Sequence, residues 1–300
     1  MTLPFVTVDV FTTEPFGGNP LAVVLNADAL NDADMQRIAM EFNLSETTFI
    51  RTPKDPANAA DGRIFTPRAE IPFAGHPNVG TAFVLASSRD DKPSDLVFEG
   101  QAGLVRLSLL RDDDGTLTGA ELAAPQVFAR GEDFSPEQIA EVLALPADQI
   151  ETANHLPCVI SCGTPFATVE VKSREVLANA RVRTDAYERH LPTSVATGLH
   201  VYTRDAGEGF DAEVRMFAPT VGVPEDPATG SANIAWMGLM ASLENASEGH
   251  FSRVVSQGVD MGRPSVMHCK AEKVGGEVLQ TWIGGSVVPM MTGIIDPAGS

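Results

Sequence analysis

The sequence predicts an α+β chain of two pseudo-symmetric domains, each a β-sheet rolled around one central helix. Three observations lead there. A seven-residue phrase is written twice, as "HPNVGTA" from His76 and as "DPATGSA" from Asp226. Other markers recur in the same order in both halves: "GNPLAVV" from Gly18 and "GTPFATV" from Gly163, "RIFTP" from Arg63 and "RMFAP" from Arg215, then Ile71-Pro72 and Val223-Pro224. One short match is common by chance, but several in register indicate an internal duplication of about half the chain. Third, the segments that follow the repeated phrase, "VGTAFVLASS" (79–88) and "GSANIAWMGLMASL" (230–243), are apolar or small on nearly every face. A helix without a polar face is buried all round, and in a chain of many strands a curled sheet is the natural wrapping.

The remaining elements support this architecture. Alternation of apolar and polar residues predicts strands at 5–11, 21–25, 47–51 and 105–109 in the first half. It does the same at 157–161, 166–171, 198–204 and 212–217 in the second. Two ordinary amphipathic helices are expected. "NDADMQRIAMEF" (31–42) places Met35, Ile38, Ala39 and Phe42 on one face. "SPEQIAEVLAL" opens with Ser135, Pro136 in the first turn and Gln138 three residues after the serine, a capping box. The polar turn "RDDDG" (111–115) lies near the expected boundary, so the domains are assigned as 1–118 and 119–285.

Composition narrows the function. With 43% hydrophobic residues, 300 residues can bury a sizeable core, and nothing indicates disorder. A net charge of −19 argues against a nucleic-acid partner or an anionic membrane surface. No basic leader precedes an apolar run and no apolar stretch reaches a membrane span, so a cytoplasmic protein is expected. Cys158, Cys162 and Cys269 are sparse and odd in number, which fits reduced thiols; the six histidines show no zinc spacing, so no metal is expected. No G-x-G-x-x-G follows a strand and no G-x-S-x-G is present. Gly17-Gly18-Asn19-Pro20 resembles a phosphate loop only superficially, since it lacks the lysine.

The repeated phrase is where chemistry concentrates. A helix start offers unpaired N–H groups and partial positive charge. Gly80 and Gly230 remove bulk there, and Thr81 and Ser231 add hydroxyls. Facing one another across a pseudo-twofold cleft, two such starts would cradle a carboxylate even on an acidic protein; each alone reads equally well as a simple cap. Gly75-His76-Pro77 would hold the His76 ring at a loop tip, at the position equivalent to Asp226, which also reads as an N-cap. A histidine and an aspartate can act as acid, base or polarising groups near neutral pH. Glu46, in "NLSETTFI", reads as a capping or edge carboxylate, but its neighbours Phe42, Leu44, Phe49 and Ile50 are apolar, which would raise its pKa towards a useful range.

With "DVFTTEPFGGNPLAVV", "NLSETTF", "AGHPNVGTA" and "DPATGSAN" on the page, the chain resembles the PhzF-like phenazine-biosynthesis isomerase family, and more widely the diaminopimelate epimerase fold, from about Val8 to Gly284-Gly285. The resemblance implies two pseudo-symmetric domains with the site between them, a C-terminal tail (286–300) returning to the first domain, a homodimer and no cofactor. It implies Glu46 as the acid/base, with His76, Asp226 and Ser231 at the substrate. Diaminopimelate epimerase uses two cysteines in these loops; neither loop here contains one, which tells against a two-thiol mechanism. The expected function is a cofactor-independent isomerase that moves a proton between carbons of a small anionic substrate, such as trans-2,3-dihydro-3-hydroxyanthranilate. Glu46, His76 and Asp226 are the expected catalytic residues, and Gly75, Gly80, Thr81, Gly230 and Ser231 the expected substrate-binding ones. The alternatives are a racemase or epimerase of an amino-acid-like substrate and a non-catalytic small-anion binder.

Overall fold

The computed structural model describes residues 2–297. The chain forms two compact units: one runs to Pro125 and resumes at Gly284, and the other is Gln126–Ile283. In chain order the first carries β1 (Leu3–Val10), β2 (Asn19–Val24), α1 (Asp32–Phe42), β3 (Glu46–Arg51), β4 (Ala60–Phe65), β5 (Glu70–Ile71), α2 (Gly75–Ser87), β6 (Asp95–Gly100), β7 (Gly103–Arg111) and β8 (Leu117–Ala123). There follow β9 (Ala129–Asp133), α3 (Pro136–Leu143), β10 (Ile150–Glu151), β11 (Cys158–Ser161), β12 (Pro165–Val171), α4 (Arg174–Asn179), α5 (Thr184–His190) and β13 (Gly198–Thr203). The chain continues with β14 (Ala212–Ala218), β15 (Val223–Asp226), α6 (Gly230–Leu243), β16 (Gly249–Gln257), β17 (Ser265–Val274) and β18 (Glu277–Ile295).

In the first unit the sheet closes on itself. β1 pairs antiparallel with β2, β2 parallel with β3, β3 antiparallel with β4 and β4 parallel with β6. β7 and β8 continue antiparallel, and the C-terminal part of β18 joins β8 to β1. Closure requires glycine: a side chain at Gly119 would collide with the backbone carbonyl of Gly285. The wrapped helix is α2, whose residues Gly75–Val84 are all buried. Gly80 permits the close approach, because a Cβ there would crowd Leu21 and Val10 on the enclosing strands.

The second unit repeats this path. β11 pairs antiparallel with β12, β12 parallel with β13, β13 antiparallel with β14, β14 parallel with β16, and β16 antiparallel with β17. Its central helix α6 is buried from Ala232 to Ala241, including the full indole of Trp236. The crossover from β12 to β13 is larger than its counterpart, with α4 and α5. Together with α3 these pack Ile139, Leu143, Leu177 and Tyr187 against Val169 and Val201 of the sheet. The predicted capping box opens α3: Ser135 Oγ accepts from the Gln138 N–H at 3.3 Å, and the Gln138 side chain accepts from the Ser135 N–H at 2.8 Å.

Each repeated marker lands on the same element of its unit. "GNPLAVV" and "GTPFATV" are β2 and β12; the arginine-led markers end β4 and β14; the Ile-Pro and Val-Pro pairs fall at β5 and β15. The side-chain contacts repeat as well. Arg63 forms a two-pronged bridge to Glu70 at 2.7 and 2.7 Å, and its guanidinium sits over Phe65. Arg215 bridges Glu225 in the same way at 2.8 and 2.9 Å and sits over Phe217. Among the described residues, no helix is long and apolar enough to cross a membrane.

Candidate active site

The first unit gathers three polar side chains at one end of its sheet. β2 and β3 run parallel with Leu21 opposite Glu46, so Asn19 and Glu46 start adjacent strands at the same end. The chain enters β2 through Gly18, whose φ of +62° and close approach to the Val10 carbonyl exclude a side chain. Asp9 accepts the Phe16 N–H at 2.8 Å and holds the loop before it. The third group is His76, in the first turn of α2. Its Nε2 lies 3.1 Å from Glu46 Oε2, and Asn19 Nδ2 lies 3.3 Å from its Nδ1. The imidazole–carboxylate contact has the separation of a hydrogen bond but not its alignment.

Burial governs the protonation of this cluster. His76 is 3% exposed, and desolvation pushes its pKa down to about 3, so the ring is neutral at neutral pH. A neutral ring carries one proton, and the Asn19 amide, donating to Nδ1, leaves it on Nε2, the nitrogen facing Glu46. The result is a carboxylate with a neutral N–H donor beside it, in a site largely closed to water. Such a pair can accept a proton from carbon while the imidazole hydrogen-bonds the charge that develops next to it.

The second unit organises its phrase differently. Asp226 ends β15, and α6 does not begin until Gly230. Between them, hydrogen bonds to side chains replace helical ones. Asp226 Oδ2 accepts from the Thr229 hydroxyl at 2.5 Å, Gln257 Nε2 donates to the Asp226 carbonyl at 2.7 Å, and Gln257 Oε1 accepts from the Thr229 N–H at 3.2 Å. Asn233 ties Gln257 at 2.8 Å, and Ser265 holds the Pro227 carbonyl at 2.9 Å. Gly230 and Ser231 therefore stand at the true start of α6, where amides lack helical partners.

Several residues sit elsewhere than the sequence suggested. His76 is not at a loop tip: α2 begins at Gly75, so the histidine is helical and buried. The leading amides of α2 are consequently those of Gly75 and His76. Gly80 lies more than a turn inside the helix, packed against Leu21 and Val10, so its lack of a side chain serves the core and its N–H belongs to the helix. Thr81 is 1% exposed, and its hydroxyl has no hydrogen-bond partner among the described residues. Asp226 is not the N-cap, which is Thr229. Asn19 was missed, although it sits inside the repeated "GNP/GTP" marker; reading that stretch as a failed phosphate loop hid it. Gln257 carries no motif and had no signal.

The strand register also identifies what faces Glu46's place in the second unit. Leu21 and Phe166 hold the same position in the repeated marker; Leu21 pairs with Glu46 and Phe166 pairs with Gly198. A side chain at Gly198 would collide with Met216. The carboxylate therefore has no counterpart in the second unit. Among the described residues, no cluster of His, Cys, Asp and Glu could hold a metal.

Known proteins bear on this geometry. An uncharacterized isomerase of Mesorhizobium japonicum is 36% identical over 97% of this chain and 98% of its own length. The trans-2,3-dihydro-3-hydroxyanthranilate isomerase of Pseudomonas fluorescens is 34% identical over 97% of this chain and 98% of its own. Among solved structures, a PhzF-family phenazine biosynthesis protein of Bacillus anthracis superposes with a TM-score of 0.87 over 99% of both chains at 23% identity. A hydroxyproline epimerase of Agrobacterium vitis shares the fold at a TM-score of 0.63 and 12% identity, over 98% of this chain and 91% of its own. Fold and relatives together make the molecule an isomerase built on the two-unit epimerase scaffold. A family model described as phenazine biosynthesis-like protein matches residues 8–293, and the chain belongs to that PhzC-PhzF family.

Proposed function

We propose that the protein is a cofactor-independent isomerase that shifts a proton between carbons of a small carboxylate substrate, with trans-2,3-dihydro-3-hydroxyanthranilate as the substrate of choice. The substrate rests on the relatives that carry this name at 33–34% identity. The observation that carries the mechanism is the Glu46 carboxylate held 3.1 Å from the buried Nε2 of His76. Glu46 takes the proton from an acidic carbon, exchanges it with solvent between the two transfers, and delivers a proton to another carbon of the same π-system. The neutral His76 N–H stabilises the negative charge that builds on the substrate between the two transfers. No electrons are exchanged with a cofactor, because the bonding pair stays with the substrate while one proton leaves and one returns.

Asp226 is proposed to orient the substrate in the same reaction, and the amides and hydroxyl at Gly230 and Ser231 to hold its carboxylate. Gly75 takes the corresponding role in α2. Gly198, at the place that matches Glu46, favours one base over the two that inversion at a single carbon needs. The test is an NMR time course in deuterium oxide with trans-2,3-dihydro-3-hydroxyanthranilate. Wild-type protein is expected to convert it, with deuterium entering the product only at the newly protonated carbon. Glu46→Gln is expected to abolish both conversion and exchange while the variant still binds the substrate. Full conversion by Glu46→Gln would overturn the assignment.

A further inference from the structure

The second unit contains a cavity of about 620 Å³ that the reaction above does not use. It lies against the C-terminal half of α6, lined by Trp236, Met240 and Leu243, whereas Asp226, Gly230 and Ser231 belong to that helix's other end. Along the helix, Trp236 lies about 9 Å and Leu243 about 20 Å from Gly230. The volume falls in the range that holds small molecules.

The lining has a consistent chemistry. One wall is apolar. The rest carries two guanidinium groups, Arg204 and Arg253, and two carboxylates, Asp211 and Glu244. Arg253 and Glu244 neutralise each other at 2.5 Å. Arg204 shares a buried carboxylate, so its outer guanidinium nitrogens and the Asp211 carboxylate are the remaining charged groups of the lining. Arg204 is positioned from below: its Nε lies 3.3 Å from Glu170 Oε1, and Glu170 is buried and fixed by the Tyr202 hydroxyl and the Asn154 amide at 3.0 Å each. Its Nη2 meets the Met240 sulfur at 3.6 Å, a weak acceptor. The side chain is 46% exposed. Asp211 has one oxygen occupied by the Val254 N–H at 2.7 Å, and it is exposed.

We propose that this cavity binds a zwitterionic α-amino acid with an unbranched apolar side chain. The ligand carboxylate pairs with the fork of Arg204, the ammonium pairs with Asp211, and the side chain lies along Trp236, Met240 and Leu243.

The test is calorimetric titration of the full chain with L-norleucine, hexanoate and pentylamine. Norleucine is expected to bind one per chain with a Kd of about 1 mM or tighter, and the two single-charge analogues at least about 10-fold more weakly. Arg204→Gln should weaken norleucine by about 10-fold or more. Leu243→Trp, at an exposed position that leaves every charge in place, should abolish binding by filling the cavity. Glu46→Gln should leave it unchanged. No binding below about 10 mM, equal affinity for hexanoate, or an unaltered Leu243→Trp would overturn the proposal. So would loss of binding in Glu46→Gln, which would place the ligand in the proposed catalytic site instead.

Discussion

The two units follow one path of strands and helices and keep the same arginine fork over the same phenylalanine, yet they differ wherever chemistry is proposed. In the first, the repeated phrase is coiled into α2 and brings an imidazole to a carboxylate. In the second, the same phrase is an extended turn pinned by Gln257 and Ser265, and glycine stands where the carboxylate would be. Duplicated scaffolds keep what the fold needs: closure glycines, buried central helices and salt-bridged strand ends. They diverge at the few positions that the fold does not need. Glu46 is such a position; its match in the strand pairing, Gly198, is held small by Met216.

The sharpest way to break this contrast is to compare Glu46→Gln with Asp226→Asn. A single acid/base residue contributes about 10²–10⁴-fold, so Glu46→Gln should lose that much in kcat in the isomerisation assay. Asp226→Asn should lose about 10-fold, mostly in KM, because an orienting hydrogen bond to an ionised group is worth less than the proton carrier. Equal losses in kcat for the two variants would mean that both units supply a base, and the one-base reading would fall.

The next effect concerns the shared fork. Arg215 and Arg63 make the same bridge, but Arg215 also donates to the carbonyls of Leu177, Ala178 and Ala180 at 3.0–3.3 Å and is 9% exposed. Removing it strips the partly buried Glu225 carboxylate of its fork and takes one donor from each of three carbonyls, which keep a second. Arg215→Met is therefore expected to cost about 3–5 kcal/mol in urea unfolding. Arg63→Met, whose second carboxylate partner Asp32 is exposed, should cost about 1–2 kcal/mol. Equal costs would show that the fork alone, and not the crossover it ties down, sets its worth.

Much of this architecture can be read in the residues. The all-round apolar character of 230–243 announces a buried helix, and the matched markers place β2 with β12 and β4 with β14. The catalytic candidates were partly readable, because His76 and Asp226 occupy matched places in a phrase. What the phrase hides is where its helix begins. That is decided by contacts from distant strands: Gln257 and Ser265 hold residues 226–229 out of the helix. Asn19 lies 57 residues from the ring it orients, and no local pattern encodes that pairing. Gly80 misled for a physical reason as well, since glycine serves a close ligand and a close side chain equally.

Acid sensitivity should appear in both units. Burial holds the pKa of His76 down at about 3 and that of His200 at about 4, against 6.5 for a free side chain, and it lowers His155 too. The folded chain refuses protons that the unfolded chain accepts below 6.5. Stability from these groups is therefore complete above that pH and is lost as pH falls towards the folded values. Each histidine contributes a slope approaching about 1.4 kcal/mol per pH unit in that window. Urea unfolding at pH 7, 6 and 5 should show it, and His76→Gln should flatten the slope by about one histidine's share. An unchanged slope would mean that His76 is protonated in the folded protein.

The smallest effect tests the link between Asn19 and the ring. The Asn19 amide beside Nδ1 selects the form of neutral His76 that keeps its proton on Nε2, towards Glu46. Thr164 stands at the matched place in the second unit, where the phrase supplies an aspartate and there is no ring to orient. Asn19→Ala would free Nδ1 and let the proton occupy either nitrogen. A neutral hydrogen bond is worth about 1 kcal/mol, so kcat should fall by about 5-fold with KM little altered. Nitrogen-15 spectra of the histidine ring provide the readout that a packing defect would not move: wild-type protein shows the Nε2–H form alone, and the variant a mixture. A variant with slower turnover and an unmixed ring would show that Asn19 acts on the substrate or the loop, and not through His76.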